Sequence, residues 1–279
     1  EFKNKVMDYF IDEYKNGRTP NPCMVCNKHV KFGLLYDFAL EKGAQFMATG
    51  HYAKIKDGAL VMGDDLNKDQ VYFLSQIKKE NVDHIMFPIG DLVKPEVREL
   101  AKLLGVRVYA KRDSQEICFV EDGKLGEFLT VATNGKVSKP GNIVDVNGKI
   151  LGKHKGLAFY TIGQRKGLGV SLEKPMYVIE LDGKNNRVVI GDNELLFKKE
   201  LKAKNINLFT IKSLQEMDGL ECWAKTRSRD ILHKCKIKVL DNDTIKVMFT
   251  EDKVRAVTPG QGVVFYDSDK KVIGSGFII

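Results

Sequence analysis

The apolar residues of this chain change their spacing near residue 125, and that single change restricts the fold more than any motif does. Upstream, Phe2, Val6, Tyr9, Phe10 and Tyr14 recur at helical spacing and stop at Gly17. A second amphipathic run covers 28–42 and ends at Gly43, followed by the short apolar segment QFMAT (45–49). Between these helices, RTPNPCMVCN (18–27) reads as a polar loop stiffened by two prolines. Asp57-Gly58, between two alternating segments, predicts a hairpin turn. A further helix is expected near Lys68, and Pro95 suits the first turn of another that stops before Gly105. Helices alternating with short strands predict an α/β layer domain over 1–125.

Downstream the period shortens. Residues 126–198 are rich in glycine and basic side chains and end in a strand pair, 176–181 and 187–190, around Asp182-Gly183. From 199 to 279, short strands at 220–225, 235–240, 244–249, 262–266 and 272–277 are separated by Asp/Asn/Ser turns. That regular spacing predicts a small antiparallel β-barrel. The expectation is therefore three domains, 1–125, 126–198 and 199–279.

Composition removes several classes. Hydrophobic residues make up 43% and charged residues 29%, which excludes a disordered tail, a fibre or a coiled-coil rod. No run approaches the ~18 apolar residues of a membrane span. Five cysteines in a chain of this size do not read as a secreted disulfide framework, so a cytoplasmic location is expected. Glu1 enters a helical pattern at once, which suggests that a further segment precedes it. The net charge is +8 and unevenly placed: residues 1–125 carry 19 basic and 19 acidic side chains, 126–198 carry 11 and 7, and 199–279 carry 15 and 11. Between Asp145 and Glu173 there is no acid, but there are Lys149, Lys153, Lys155, Arg165 and Lys166. Such a field suits either a solvated basic face or a phosphate backbone.

The densest chemistry is Asn21-Pro22-Cys23-Met24-Val25-Cys26-Asn27, with Cys118 far along in Asp113-Ser114-Gln115-Glu116-Ile117-Cys118. Cys-x-x-Cys can be a redox pair, half a zinc site or two ligands of an iron–sulfur cluster. Only His29 or Cys118 could extend it towards the four ligands of structural zinc. Cys222 and Cys235 read as small core residues on neighbouring barrel strands, and Trp223 as core. Lys153-His154-Lys155 reads as an exposed basic turn. Cys118 is preceded by polar residues, an unusual setting for a packing thiol.

Six ordered blocks then carry a resemblance: NPCMVCN (21–27), ATGHYA (48–53), KDQVYFL (68–74), DSQEICF (113–119), GLAFYTIGQRKGLG (156–169) and RAVTPGQGVVFY (255–266). Their sequence and order resemble those of the bacterial and mitochondrial tRNA-specific 2-thiouridylases over the whole chain. The resemblance implies an α/β PP-loop ATPase (adenine nucleotide alpha hydrolase-like) domain that is N-terminally incomplete here, then a small central domain that recognises tRNA and a C-terminal β-barrel. It implies an ATP- and Mg-dependent sulfurtransferase that converts the wobble uridine of tRNAs for Lys, Glu and Gln to 2-thiouridine. A cysteine desulfurase or a relay protein would supply the sulfur as a persulfide, and no membrane is involved.

By motif position, Cys118 would carry the persulfide and Cys26 would be the second catalytic thiol. Asn21, Pro22 and Cys23 would touch the target base, and Gly50 would line the ATP site. His51, Lys68, Asp69, Gln70, Arg227, Ser228 and Gln261 would contact tRNA, and the Gly163-Gln164-Arg165-Lys166-Gly167 block is a further expected contact. Two departures stand out. No Ser-Gly-Gly-Val-Asp-Ser type phosphate loop occurs in 1–279, so these residues alone are expected to be inactive. Many members have Asp where Cys23 stands, and Cys23, Cys26 and Cys118 together could instead ligate an iron–sulfur cluster. Otherwise no resident metal is expected.

Overall fold

A computed structural model describes residues 1–111 and 117–279. The chain opens with a π-helical turn, Lys3–Met7, that runs into α1 (Asp8–Lys15) and ends at Gly17 with φ 70°. The stretch read as a polar loop is helical from its second proline: α2 (Pro22–Cys26) continues through a wider π-helical segment, Asn27–Leu34, into α3 (Leu35–Glu41). Asn21 caps α2, its Oδ1 accepting the Met24 N–H at 3.2 Å, and Pro22 supplies a preset φ at the first turn. Both signals were in the sequence, and the second proline masked them.

β1 (Met47–Ala48) pairs in parallel with β4 (Ile85–Met86), while β2 (Ala53–Lys56) and β3 (Ala59–Met62) form the expected hairpin. Asp57 (φ 52°) and Gly58 (φ 68°) both take the left-handed conformation of its turn. The helix expected near Lys68 begins only at Val71, as the single turn α4 (Val71–Leu74). α5 (Lys94–Leu103) starts as expected, with the Val93 N–H donating to Glu96 Oε2 at 2.9 Å.

α6 (Leu125–Ala132) leads into a four-stranded sheet of order β6-β5-β8-β7, built from β5 (Gly141–Val144), β6 (Ile150–His154), β7 (Tyr177–Asp182) and β8 (Arg187–Gly191). Its core is Ile143, Tyr160, Leu168, Val178, Val188 and Ile190. Within the turn read as exposed, Lys153 and Lys155 are exposed but His154 is buried between them, as strand alternation requires. The Gly156 N–H donates to His154 Nδ1 at 3.0 Å, so Nε2 carries the proton towards the Asn186 carbonyl at 3.0 Å.

A short ladder joins β9 (Phe197–Lys198) to β14 (Val254–Arg255). The closed barrel has order β10-β13-β12-β11-β15-β16, from β10 (Glu200–Leu208), β11 (Glu221–Lys225), β12 (His233–Val239), β13 (Thr244–Phe249), β15 (Gly262–Tyr266) and β16 (Val272–Ile278). The barrel is fused to the first domain by a shared core, where Met24, Phe32, Tyr72 and Leu74 pack with Phe209, Val264, Tyr266 and Val272. Trp223 packs at the margin of that core, partly buried. Polar groups stitch the same junction: Tyr72 O–H donates to the Gly262 carbonyl at 3.0 Å, and Gln76 Nε2 donates to Ser275 Oγ at 2.9 Å. A buried junction of this kind holds two domains in one relative position.

Candidate active site

On α2, residues three apart share a face. The helix buries Pro22, Met24 and Val25 and leaves Cys23 exposed and Cys26 half-buried. Cys118 is held in place by its neighbour: the Phe119 ring lies 5.6, 5.3 and 5.8 Å from the rings of Phe2, Phe10 and Phe128. That packing anchors the segment against α1 and leaves Cys118 exposed. The polar residues that precede it, Asp113, Ser114, Gln115 and Glu116, lie outside the described residues.

The three thiols share one electrostatic neighbourhood. Crowding by the surrounding protein pushes the Cys23 pKa up, although part of its side chain is open to solvent; Cys118 and Cys26 add to the rise and Lys31 opposes it. Burial raises Cys26 too, Lys31 pulls it back, and Cys118 raises it further. Lys31 is the cation beside the thiols that sequence reading missed; its position one helical turn after Cys26 and Asn27 was the available signal. Among the described residues no three His, Cys, Asp or Glu side chains are grouped to hold a metal ion. Cys23, Cys26 and Cys118 as arranged do not fit an iron–sulfur cluster.

A cleft of about 1690 Å³ opens between the first domain and the barrel. Eight of the residues singled out from sequence line it: Asn21, Gly50, Lys68, Asp69, Gln70, Arg227, Ser228 and Gln261. Several of them also build its frame. Gln261 Nε2 donates to the Thr19 carbonyl at 2.9 Å and to that of Pro20 at 3.2 Å, clamping the entry to α2. Gln70 accepts the Tyr52 N–H at 2.9 Å through Oε1. Asp69 is buried; its Oδ1 accepts the Gly63 N–H at 3.0 Å, its Oδ2 has no hydrogen-bond partner among the described residues, and burial raises its pKa.

Gly50 is exposed, and a Cβ there would meet only Ile89 Cδ1 at 3.9 Å. Protein packing therefore does not demand glycine at this position, which fits a ligand approaching the backbone closely. The loop carrying Arg227 and Ser228 is pinned by Asp230, which accepts the Thr226 hydroxyl at 2.7 Å and the Ile231 N–H at 3.1 Å and lies 3.2 Å from His233 Nε2. Sequence reading missed Lys94, Lys225, Arg229 and Lys270, which also line the cleft. The run Lys-Thr-Arg-Ser-Arg at 225–229 was the visible signal for two of them. Six cations against Asp69 and Asp230 give the cleft the sign a polyanion requires.

Pro22, Cys23, Cys26, His51 and Cys118 are not part of the cleft wall. Pro22 is buried under the turn it begins. His51 packs 5.8 Å from the Phe32 ring and 6.0 Å from that of Phe87, with Nδ1 2.7 Å from Thr49 Oγ1. Burial, then Lys31, lowers its pKa to about 4, so at neutral pH it can hydrogen-bond RNA but cannot neutralise a phosphate.

A basic cleft between rigidly joined domains, with thiols gathered on an adjoining helix, defines a nucleic-acid-modifying enzyme of the group-transfer kind. Family descriptions match it in three consecutive stretches: a tRNA methyl transferase HUP domain over 1–122, a tRNA methyl transferase PRC-barrel domain over 127–192 and an aminomethyltransferase beta-barrel domain over 198–278. The tRNA-specific 2-thiouridylase MnmA 1 of Fusobacterium nucleatum is 64% identical over 278 residues, covering 100% of this chain and 76% of the relative. MnmA 2 of Clostridium botulinum (strain Hall) is 47% identical over 282 residues, covering 100% and 78%, and MnmA of Clostridioides difficile is 48% identical over 283, covering 99% and 77%. The chain belongs to the MnmA/TrmU family of tRNA-specific 2-thiouridylases. No helix among the described residues is long and apolar enough to cross a membrane.

Proposed function

We propose that this chain thiolates C2 of the wobble uridine in tRNAs for Lys, Glu and Gln, with Cys118 as the persulfide carrier and Cys26 as the resolving thiol. The observation that supports this reading is that Cys118, exposed and far along the sequence, lies within electrostatic reach of the α2 thiols, which are themselves exposed or half-buried. The family descriptions name methyl transfer while the relatives are named thiouridylases, and a gathered set of thiols favours the sulfur chemistry.

ATP with Mg, when bound beside Gly50, would turn the uracil O2 into a leaving group by adenylation. The exposed position of Cys118 lets a desulfurase or relay protein deliver sulfur to it. The terminal sulfur of the Cys118 persulfide attacks C2, AMP leaves, and a Cys118–S–S–C2 adduct results. The Cys26 thiolate then attacks the Cys118 sulfur, forming a Cys26–Cys118 disulfide and leaving sulfur on C2 as the thiocarbonyl. An external thiol must reduce that disulfide before the next turnover. Lys31 promotes thiolate formation at Cys26 against its burial. The extruded uridine would meet Asn21 and the start of α2, with the flanking backbone held by Lys68, Arg227 and Ser228. Because residues 1–279 contain no Ser-Gly-Gly-Val-Asp-Ser type loop, we further propose that these residues alone turn over ATP slowly.

The test is Cys118→Ala and Cys26→Ala in the full-length protein, read by 2-thiouridine content and tRNA affinity. Each variant is expected to lose thiolation while keeping tRNA affinity. Wild-type 2-thiouridine in cells carrying only the Cys118→Ala form would sink the relay.

A further inference from the structure

A second groove, of about 800 Å³, lies where α1 and α2 meet the barrel strands β10 and β16. It adjoins the cleft across a narrow bridge. Asn21 and Gln261 face the cleft, whereas Arg18 and Gly260 line the groove. Only Thr19 and Pro20 lie between Arg18 and Asn21, no more than about 11 Å of chain.

The charge of this groove is uncompensated. Lys5, Lys28 and Lys204 line it; among the described residues none of them has a carboxylate partner, and Lys28 Nζ donates to the neutral Gln76 Oε1 at 3.0 Å. The one acidic side chain in its wall, Glu13, is held bidentately by Arg18 at 2.5 and 2.6 Å. The crowding of cations is felt at His29 in the same wall, whose pKa is lowered by burial and then by Lys28, Lys5 and Lys78. A second feature is aromatic: Tyr9 and Phe277 line the groove with ring centroids 6.4 Å apart. On the barrel side, β10 is interrupted by a bulge between Lys204 and Asn207, where Asn205 takes φ 54° and its N–H donates to Asp243 Oδ1 at 2.9 Å. Bulges of this kind redirect side chains and are found beside binding sites.

Lysines whose charge no carboxylate among the described residues neutralises, next to an aromatic wall, match an RNA strand better than an acidic protein surface, because phosphates and bases are served together. We propose that this groove binds a stretch of tRNA sugar–phosphate backbone outside the catalytic cleft, with phosphates on Lys5, Lys28 and Lys204 and a base against Tyr9 and Phe277. The inference rests on the reading that tRNA is the substrate. It makes the 18–22 bridge a divider over which one RNA strand passes.

The experiment is tRNA filter binding across a salt series with the full-length protein, comparing wild type, Lys5→Ala/Lys204→Ala and Arg227→Ala. Both lysines are exposed and have no carboxylate partner among the described residues, so the fold should be kept; an unchanged thermal midpoint checks this. The double variant is expected to bind about tenfold more weakly at low salt, with the slope of log K against log salt smaller by about 1.8 for two lost phosphates. Arg227→Ala reports separately on the cleft. Wild type without tRNA affinity would overturn the substrate reading, and this inference with it. Normal wild-type binding with an unaltered slope in the double variant would overturn the groove alone and leave it to an acidic protein partner.

Discussion

The cysteines of this protein form two groups that differ in almost every physical respect. Cys23, Cys26 and Cys118 come from segments far apart in sequence and meet at a surface, two of them exposed and one half-buried. Cys222 and Cys235 are register partners on adjacent barrel strands, both buried, with their sulfurs 3.7 Å apart. Judged by distance alone, the barrel pair is the better candidate for sulfur chemistry. Yet the hydrogen-bonded Cys235 thiol, and then burial, push the Cys222 pKa far above the usual thiol range. A thiol held in its neutral form and shielded from solvent is a packing group whatever lies beside it. Access and the Lys31 charge distinguish the α2 group, and these are what a sulfur donor and an RNA base both need.

The largest expected contrast is in reactivity. With iodoacetamide under native conditions, Cys118, Cys23 and Cys26 should alkylate before Cys222 and Cys235, by a factor on the order of 100 or more, because the barrel pair reacts only on opening. The pH dependence carries a sign. The Cys23 and Cys26 pKa values lie above that of a free thiol, so less thiolate is present at neutral pH and labelling should keep climbing as pH rises past 9. Lys31→Ala removes the charge that opposes this rise and should move the Cys26 labelling curve to still higher pH. Mass spectrometry of time-resolved digests reads each site. Equal labelling of Cys222 and Cys118 would remove the distinction.

The barrel group was legible in the sequence and the convergent group was not, for a physical reason. Strand alternation is local, so β11 and β12 could be read from residue spacing and their cysteines assigned to the core. β10 escaped that reading although Leu201 and Ala203 alternate with Lys202 and Lys204, because the bulge at Asn205 breaks the period. The helical placement of Cys23 and Cys26 depended on an Asn cap and a first-turn proline inside a segment that looked like a loop. The placement of Cys118 depends on Phe119 packing against Phe2, Phe10 and Phe128, a tertiary contact with no local signature. Lining the cleft with residues from both domains likewise required the Tyr72–Gly262 and Gln76–Ser275 bonds across the junction. Motif resemblance could name many of the residues that line the cleft, but it could not say that Gln261 and Asp69 also brace its frame.

Within the convergent group, Cys23 tests whether exposure alone makes a thiol functional. It shares a helix face with Cys26 but has no part in the proposed exchange between Cys118 and Cys26. Cys23→Ser keeps the size and polarity of the first helical turn, so thiolation should stay within about threefold of wild type. The measurement is single-turnover 2-thiouridine formation together with iron and sulfide analysis of anaerobically purified protein. Loss of activity in Cys23→Ser accompanied by loss of bound iron would replace the relay with a cluster, and with it the account of how access sorts the thiols.

The smallest effect is expected where the sulfurs are closest. Cys222 is buried on β11 among Ala224, Val247 and Phe265 in the barrel core. Cys222→Ala removes one buried sulfur and leaves a small void, costing about 1 kcal/mol of stability. The Cys235 thiol left behind is a weak hydrogen-bonding group, so little further penalty follows from its lost partner. Thermal unfolding should therefore shift down slightly, while thiolation and tRNA affinity stay at wild-type values. The informative outcome is the reverse: normal stability with thiolation lost. That result would mean the barrel thiols exchange with the α2 group during turnover, and separation by access would no longer explain which cysteines carry sulfur.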